Sequence, residues 1–225
     1  MSIPIQYLEL ESLYAATLAR GIRSLAVTSA EGGEGVSSIC DALAHRAEAD
    51  GLRTLLVDLN LYHPGRSSAV VWGPNDVPEP AIRGQSLSLL PAPGKDLMAF
   101  RNKDTLRQLL VRWLEHYDVV IFDTSPLNAL NALNRGNIPA DQVCGACEGA
   151  LLVVLAGVTP TTVVQSAVDK LTRAEANLIG AVYNDKLNPG LASEILRELN
   201  RLPSNRVTEW LKRWCRRSAL LNFRI

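Results

Sequence analysis

The chain has 225 residues, 23 of them basic and 23 acidic, so its formal net charge is zero, and 47% of it is hydrophobic. That balance excludes a disordered chain and a general polyanion binder such as a nucleic-acid protein, while the length suits one α/β domain with a sizeable core. No apolar run reaches the roughly 18 residues of a membrane span. Four cysteines in this length do not make a disulfide framework, and MSIPIQYLELES lacks the basic-then-apolar order of a signal peptide, so the expected compartment is the cytoplasm.

In chain order, residues 8–20 (LELESLYAATLAR), within an N-terminal stretch 1–22, read as helix. Leu25, Ala26 and Val27 begin a short strand that ends in Thr28 and Ser29. The chain then passes through Gly32, Gly33 and Gly35 into a helical pattern opened by Ser37 and Ser38, and Gly51 stops that helix near Asp50. Residues 54–58 (TLLVD) form an apolar run ending in an acid, as expected of a parallel strand covered on both faces. Residues 64–95 are rich in proline and glycine and read as loop, with a strand at 86–90. An amphipathic helix follows at 104–116, with Leu106, Leu109, Leu110, Trp113 and Leu114 on one face. Residues 119–123 (VVIFD) give another acid-terminated strand, and 150–156 and 178–183 give two more around a helix at 161–174. The alternation predicts a doubly wound, mostly parallel sheet with helices on both faces, which places ligands beyond the carboxyl ends of the strands.

The strand, glycine turn and helix start at 24–43 are built for phosphate: glycines admit positive φ, and a helix terminus offers amides and the positive end of its dipole. A Walker-type loop, however, ends in Gly-Lys-Ser/Thr, its lysine reaching the β and γ phosphates. Here Gly35 is followed by Val36 and Ser37, and no lysine occurs before Lys95. The glycines also miss the GxGxxG spacing of a dinucleotide site, since Gly33 and Gly35 are followed by Ser38.

Taken in order, TSAEGGEGVSS, LLVDLNLYHPG, YDVVIFDTSPL and ALLVVLAGVTP resemble the motifs of the cytoplasmic bacterial tyrosine autokinases of capsule and exopolysaccharide synthesis. These belong to the septum-site and chromosome-partitioning P-loop ATPases. The resemblance implies a P-loop NTPase-like fold and a site for ATP or ADP with magnesium. Gly32, Gly33, Glu34, Gly35, Val36, Ser37 and Ser38 would form the phosphate loop, with Ser37, Asp58 and Asp123 at magnesium. Asp58 and Asp123 would be the catalytic acids and Asn184 would contact adenine. Against the pattern, Val36 stands for the lysine, Asn60 for a second aspartate and Tyr62 for an arginine. The Glu, Arg, Arg spacing of ring assembly reads Glu11, Tyr14 and Thr17, and no tyrosine follows Tyr183. The expectation is therefore weak nucleotide binding and impaired catalysis. A regulator or scaffold would result, whose partner is a polysaccharide co-polymerase or another inner-membrane assembly protein, with homo-oligomerisation a further option. Two alternatives stand beside it: an active tyrosine kinase or ATPase using a cation from elsewhere, and an iron-sulfur relative.

Two further segments are singled out. Cys144 and Cys147 form a CxxC, but a lone pair supplies two ligands and helical spacing puts both on one face, so core packing is expected rather than zinc or an iron-sulfur cluster. Residues 203–225 read as a separate tail after a domain at 1–202. In 206–225, Val207, Trp210, Leu211, Trp214 and Leu221 recur at helical spacing among Arg206, Lys212, Arg213, Arg216 and Arg217. Such a helix suits an anionic membrane surface or an acidic partner, which would make the protein peripheral at the inner membrane. The alternative is a final helix packed on its own domain.

Overall fold

A computed structural model describes residues 3–4, 6–61, 71–128, 137–186, 195, 199, 211–212 and 214–215. The first helix, α1, spans Leu8–Ala16, shorter than the expected 8–20. Thr17 is fully buried and donates its hydroxyl to the Leu13 carbonyl at 2.7 Å, after which the chain tightens into a 3-10 turn at Leu18–Arg20 closed by Gly21 at φ 88°. Strand β1 (Ser24–Ser29), helix α2 (Val36–Ala49) and strand β2 (Thr54–Leu59) follow as the sequence pattern predicts. Gly51 ends α2 at φ 80°, its amide donating to the Glu48 carbonyl at 2.8 Å and that of Leu52 to Ala47 at 3.1 Å.

Within the proline-rich stretch, β3 (Ala81–Ile82) pairs antiparallel with β4 (Leu87–Leu90). Two exposed residues carry no apolar alternation, so β3 leaves no trace in the sequence pattern. Asn102 caps α3 (Lys103–Leu114) by accepting from the Asp104 amide at 2.8 Å, and Leu106, Leu109 and Leu110 are buried on its inner face. Beyond β5 (Val119–Thr124) come α4 (Ala140–Ala146), β6 (Gly149–Leu155), α5 (Thr161–Arg173) and β7 (Leu178–Asn184).

The strand order is β3-β4-β2-β5-β1-β6-β7, every pair parallel except β3 with β4. All residues of β1, β2, β5 and β6 are buried, and their side chains divide by period two between the sheet's faces. Leu25, Val27, Leu56, Ile121, Leu151 and Val153 pack with α1 and α2. Ala26, Leu55, Val57, Val120, Phe122 and Ala150 pack with α3 and α4. Trp72, buried and donating from Nε1 to the Pro91 carbonyl, seals this second face with Phe100 at 5.5 Å and Trp113 at 6.1 Å between ring centroids.

Cys144 lies in α4, but Cys147 does not share its helical face: α4 ends at Ala146 and Cys147 adopts an extended φ of −87° and ψ of 159°. Both nevertheless pack in the second core, and burial pushes both thiols well above the usual thiol range. The compact unit holding the sheet comprises 1–155 and 159–184, and a second comprises 156–158 and 185–225. In the second, Cys215 is buried with Ile195 and Leu199 against it, Trp214 is exposed, and Leu211 and Lys212 are half-buried. Val207, Trp210, Leu221 and Arg206, Arg213, Arg216 and Arg217 lie outside the described residues. No helix among the described residues is long and apolar enough to cross a membrane.

At the amino ends of β2 and β5, Arg53 grips Asp118 through its guanidinium at 2.7 and 3.1 Å and its amide at 2.9 Å. The Arg53 side chain and amide hold the Asp118 carboxyl down at about 2, against a usual 3.8. A depressed carboxylate stabilises the fold above the unfolded pKa and loses that contribution as pH falls through the folded one. Denaturant midpoints measured across pH should therefore drop between about pH 4 and 2, and Asp118→Asn should flatten that part of the profile.

Candidate nucleotide site

The chain moves across the sheet in one direction from β1 to β2 and in the other from β5 to β6, and at such a reversal the carboxyl ends of the strands are where ligands of doubly wound sheets sit. The glycine loop leaves β1 there. Gly33 and Gly35 take φ of 85° and 100°, values that side-chain-bearing residues rarely adopt. Gly35 is the N-cap of α2, and no side chain caps that helix. A loop with two left-handed glycines running into an uncapped helix start has the backbone form of a phosphate cradle.

The side chain at the critical position is committed elsewhere. Val36 is 7% exposed and belongs to the core cluster of Ile39, Cys40 and Leu43. Lys170 reaches the segment beside the loop, where the amides of Leu127 and Asn128 donate to the carbonyls of Ser29 and Ala30 at 2.8 and 3.0 Å. Its Nζ is spent on the Leu127 carbonyl at 2.8 Å and Asn128 Oδ1 at 2.6 Å.

On one side of the loop stand the two acids. Register places Asp58 of β2 opposite Asp123 of β5, and Asp123 opposite Val27 of β1. Both are buried, and Asp58 Oδ1 accepts from the Asn60 amide at 2.9 Å. Asn60 thus serves Asp58 through its backbone. Ser37 and Ser38, half-buried, open the first turn of α2. Tyr62 lies outside the described residues.

On the other side the loop is held by bonds that sequence reasoning missed. Glu34 is 2% exposed. Its carboxylate accepts from the amide of Glu31 at 3.0 Å, from the amide of Leu155 at the end of β6 at 3.4 Å, and from the hydroxyl of Thr159. Its carbonyl accepts from Asn184 Nδ2 at 2.9 Å. Asn184 is the last residue of β7, and a Cβ on Gly35 would fall 2.5 Å from the same nitrogen. The residue expected at adenine is therefore bonded to the loop itself. A signal existed in the sequence: an acid inside a loop built for anions must find donors of its own.

Glu11 and Tyr14 are likewise engaged within the chain. Arg46 binds Glu11 through two nitrogens and Asp50 at 2.6 Å, lies 4.4 Å from the centroid of the Tyr14 ring, and Tyr14 donates to Asp50 at 2.7 Å. Burial, reinforced by that bond, pushes the Tyr14 phenol up to about 12. No cluster of three or more metal-binding side chains occurs among the described residues.

No family model matches the sequence. A tyrosine-protein kinase of Bacillus subtilis (strain 168), YwqD, is 27% identical over 188 residues, 76% of each chain. The kinase domain of the Escherichia coli tyrosine kinase ETK superposes with a TM-score of 0.62 at 22% identity, covering 81% of this chain and 80% of that one. Cobyrinic acid a,c-diamide synthase from Mycobacterium smegmatis, with bound ATP analog and magnesium, gives a TM-score of 0.53 at 19% identity over 72% of each chain. The chain is thus similar in sequence to a bacterial tyrosine kinase, and it has the fold of the ETK kinase domain and of a synthase that binds an ATP analog with magnesium.

Proposed function

We propose that this tyrosine-kinase-like protein is a regulator or scaffold of a polysaccharide assembly system, with a nucleotide site that binds ADP or ATP weakly and transfers phosphate slowly or not at all. The observation that carries this reading is Val36, a core-packed side chain at the position where a phosphate loop needs its lysine. The rest of the donor set fits a nucleotide: the amides of the glycine loop for phosphates, and Ser37, Asp58 and Asp123 for magnesium. Losing a charge-assisted contact costs about 1.5–3 kcal/mol, or roughly ten- to a hundredfold in affinity. Phosphoryl transfer loses more, because its transition state is stabilised by positioned cations.

The likeness to YwqD and to ETK supports the kinase-like ancestry. From the motif resemblance comes the partner, the cytoplasmic part of a polysaccharide co-polymerase. The basic stretch 206–225 would hold the protein at the anionic inner face of the membrane, acting as a tail distinct from the sheet domain.

Three measurements test this reading. Incubated with magnesium and ATP, the purified protein should show no phosphotyrosine above background; a signal abolished by Asp123→Ala would establish an active kinase using a cation from elsewhere. Titration calorimetry should detect weak magnesium-ADP binding that Gly35→Ala removes. The alanine faces about 1–2 kcal/mol of left-handed strain and a collision with Asn184. Deleting 206–225 should abolish cosedimentation with anionic liposomes, and unchanged binding would remove the membrane role.

A further inference from the structure

The turn from β1 into α2 has the shape of an anion cradle and charge of the opposite sign to the one such a cradle needs. Residues 30–38 (AEGGEGVSS) contain two acids, Glu31 and Glu34, and no basic residue. Glu31 is exposed, and Glu34 is buried. One oxygen of the Glu34 carboxylate accepts from the Glu31 amide at 3.0 Å, and the other accepts from the Leu155 amide at 3.4 Å and from the Thr159 hydroxyl. Glu34 and these three partners all belong to the unit that holds the sheet. Three donors and a buried position are the surroundings of an ionised carboxylate. The donors are dipoles, so they satisfy the charge without cancelling it, and burial limits its screening by salt. One of them, the Glu31 amide, belongs to the loop, which thus gives a donor to its own acid.

We propose that Glu34 is a specificity-determining residue of the glycine loop, whose fixed negative charge makes the loop favour the less charged phosphate ligand, ADP over ATP. The assignment rests on the nucleotide reading above and adds to it which nucleotide is held. ADP and ATP differ by one unit of charge whether or not each carries magnesium. One unit of ligand charge close to a fixed carboxylate changes affinity by roughly two- to tenfold at the permittivities of a protein surface. A phosphate loop ordinarily reverses that preference with a lysine directed at the β and γ phosphates. Val36 stands in its place, so no side-chain cation within the loop offsets the acid.

Titration calorimetry of the full chain with magnesium-ADP and with magnesium-ATP tests the assignment. The wild type should bind ADP more tightly than ATP by roughly threefold or more. Glu34→Gln keeps the shape of the side chain, removes its charge and gives up an acceptor. Thr159→Val gives up one of the same bonds and leaves the charge in place. The first should bring the ratio of affinities close to one by tightening ATP more than ADP; the second should weaken both nucleotides alike at an unchanged ratio. A purely structural role for Glu34 predicts that the two variants behave the same. Glu31→Lys, a substitution at an exposed side chain, sets a cation beside the acid and should also lower the ratio, which decides the matter if Glu34→Gln does not fold. The assignment is overturned if the wild type prefers ATP, or if the ratio is the same in the wild type and the charge variants, and in either case the nucleotide reading stands. If the wild type binds neither nucleotide and Glu34→Gln binds both, the carboxylate is what excludes them and the assignment holds. If no variant binds either nucleotide, the nucleotide reading falls and the assignment falls with it.

Discussion

Burial of β1 on both faces and along both edges is the constraint from which the rest follows. With β5 and β6 paired to it in parallel, and helices covering the sheet above and below, each of these strands must surrender its functional residues at the same carboxyl end. A glycine loop on β1 and acids ending β2 and β5 then meet because the sheet allows them no other exit. The amino ends carry plain structural bonds, such as the grip of Arg53 on Asp118.

The loop itself is unusual in where its electrostatics come from. Phosphate loops set their charge balance with a lysine; this one contains a buried carboxylate and a buried valine. Glycines at positive φ and the bonds to Glu34 and Asn184 fix the backbone form of the loop. Pre-ordering lowers the entropy cost of binding, a contribution that rests on backbone geometry rather than on a side-chain cation.

Similar reassignment marks α1. Glu11 and Tyr14 occupy positions that the motif resemblance connects with ring assembly, yet both are tied to α2 through Arg46 and Asp50. The cysteines likewise face the core: Cys144 is buried and Cys147 partly buried in the second cluster.

By itself the sequence determined the alternation of strands and helices, the acids at the ends of β2 and β5, the glycine turn and the loss of its lysine. These are local features, written in runs of apolar residues, in turn residues and in a motif read over a few positions. Only the tertiary structure decided that β3 pairs antiparallel at the edge, that Cys147 leaves the helical face of Cys144, that Asn184 braces the loop, and that Glu34 finds its donors at Leu155 and Thr159. The bonds of the loop depend on partners 121 to 150 positions away in the chain, and such pairings arise from packing, which no local periodicity records.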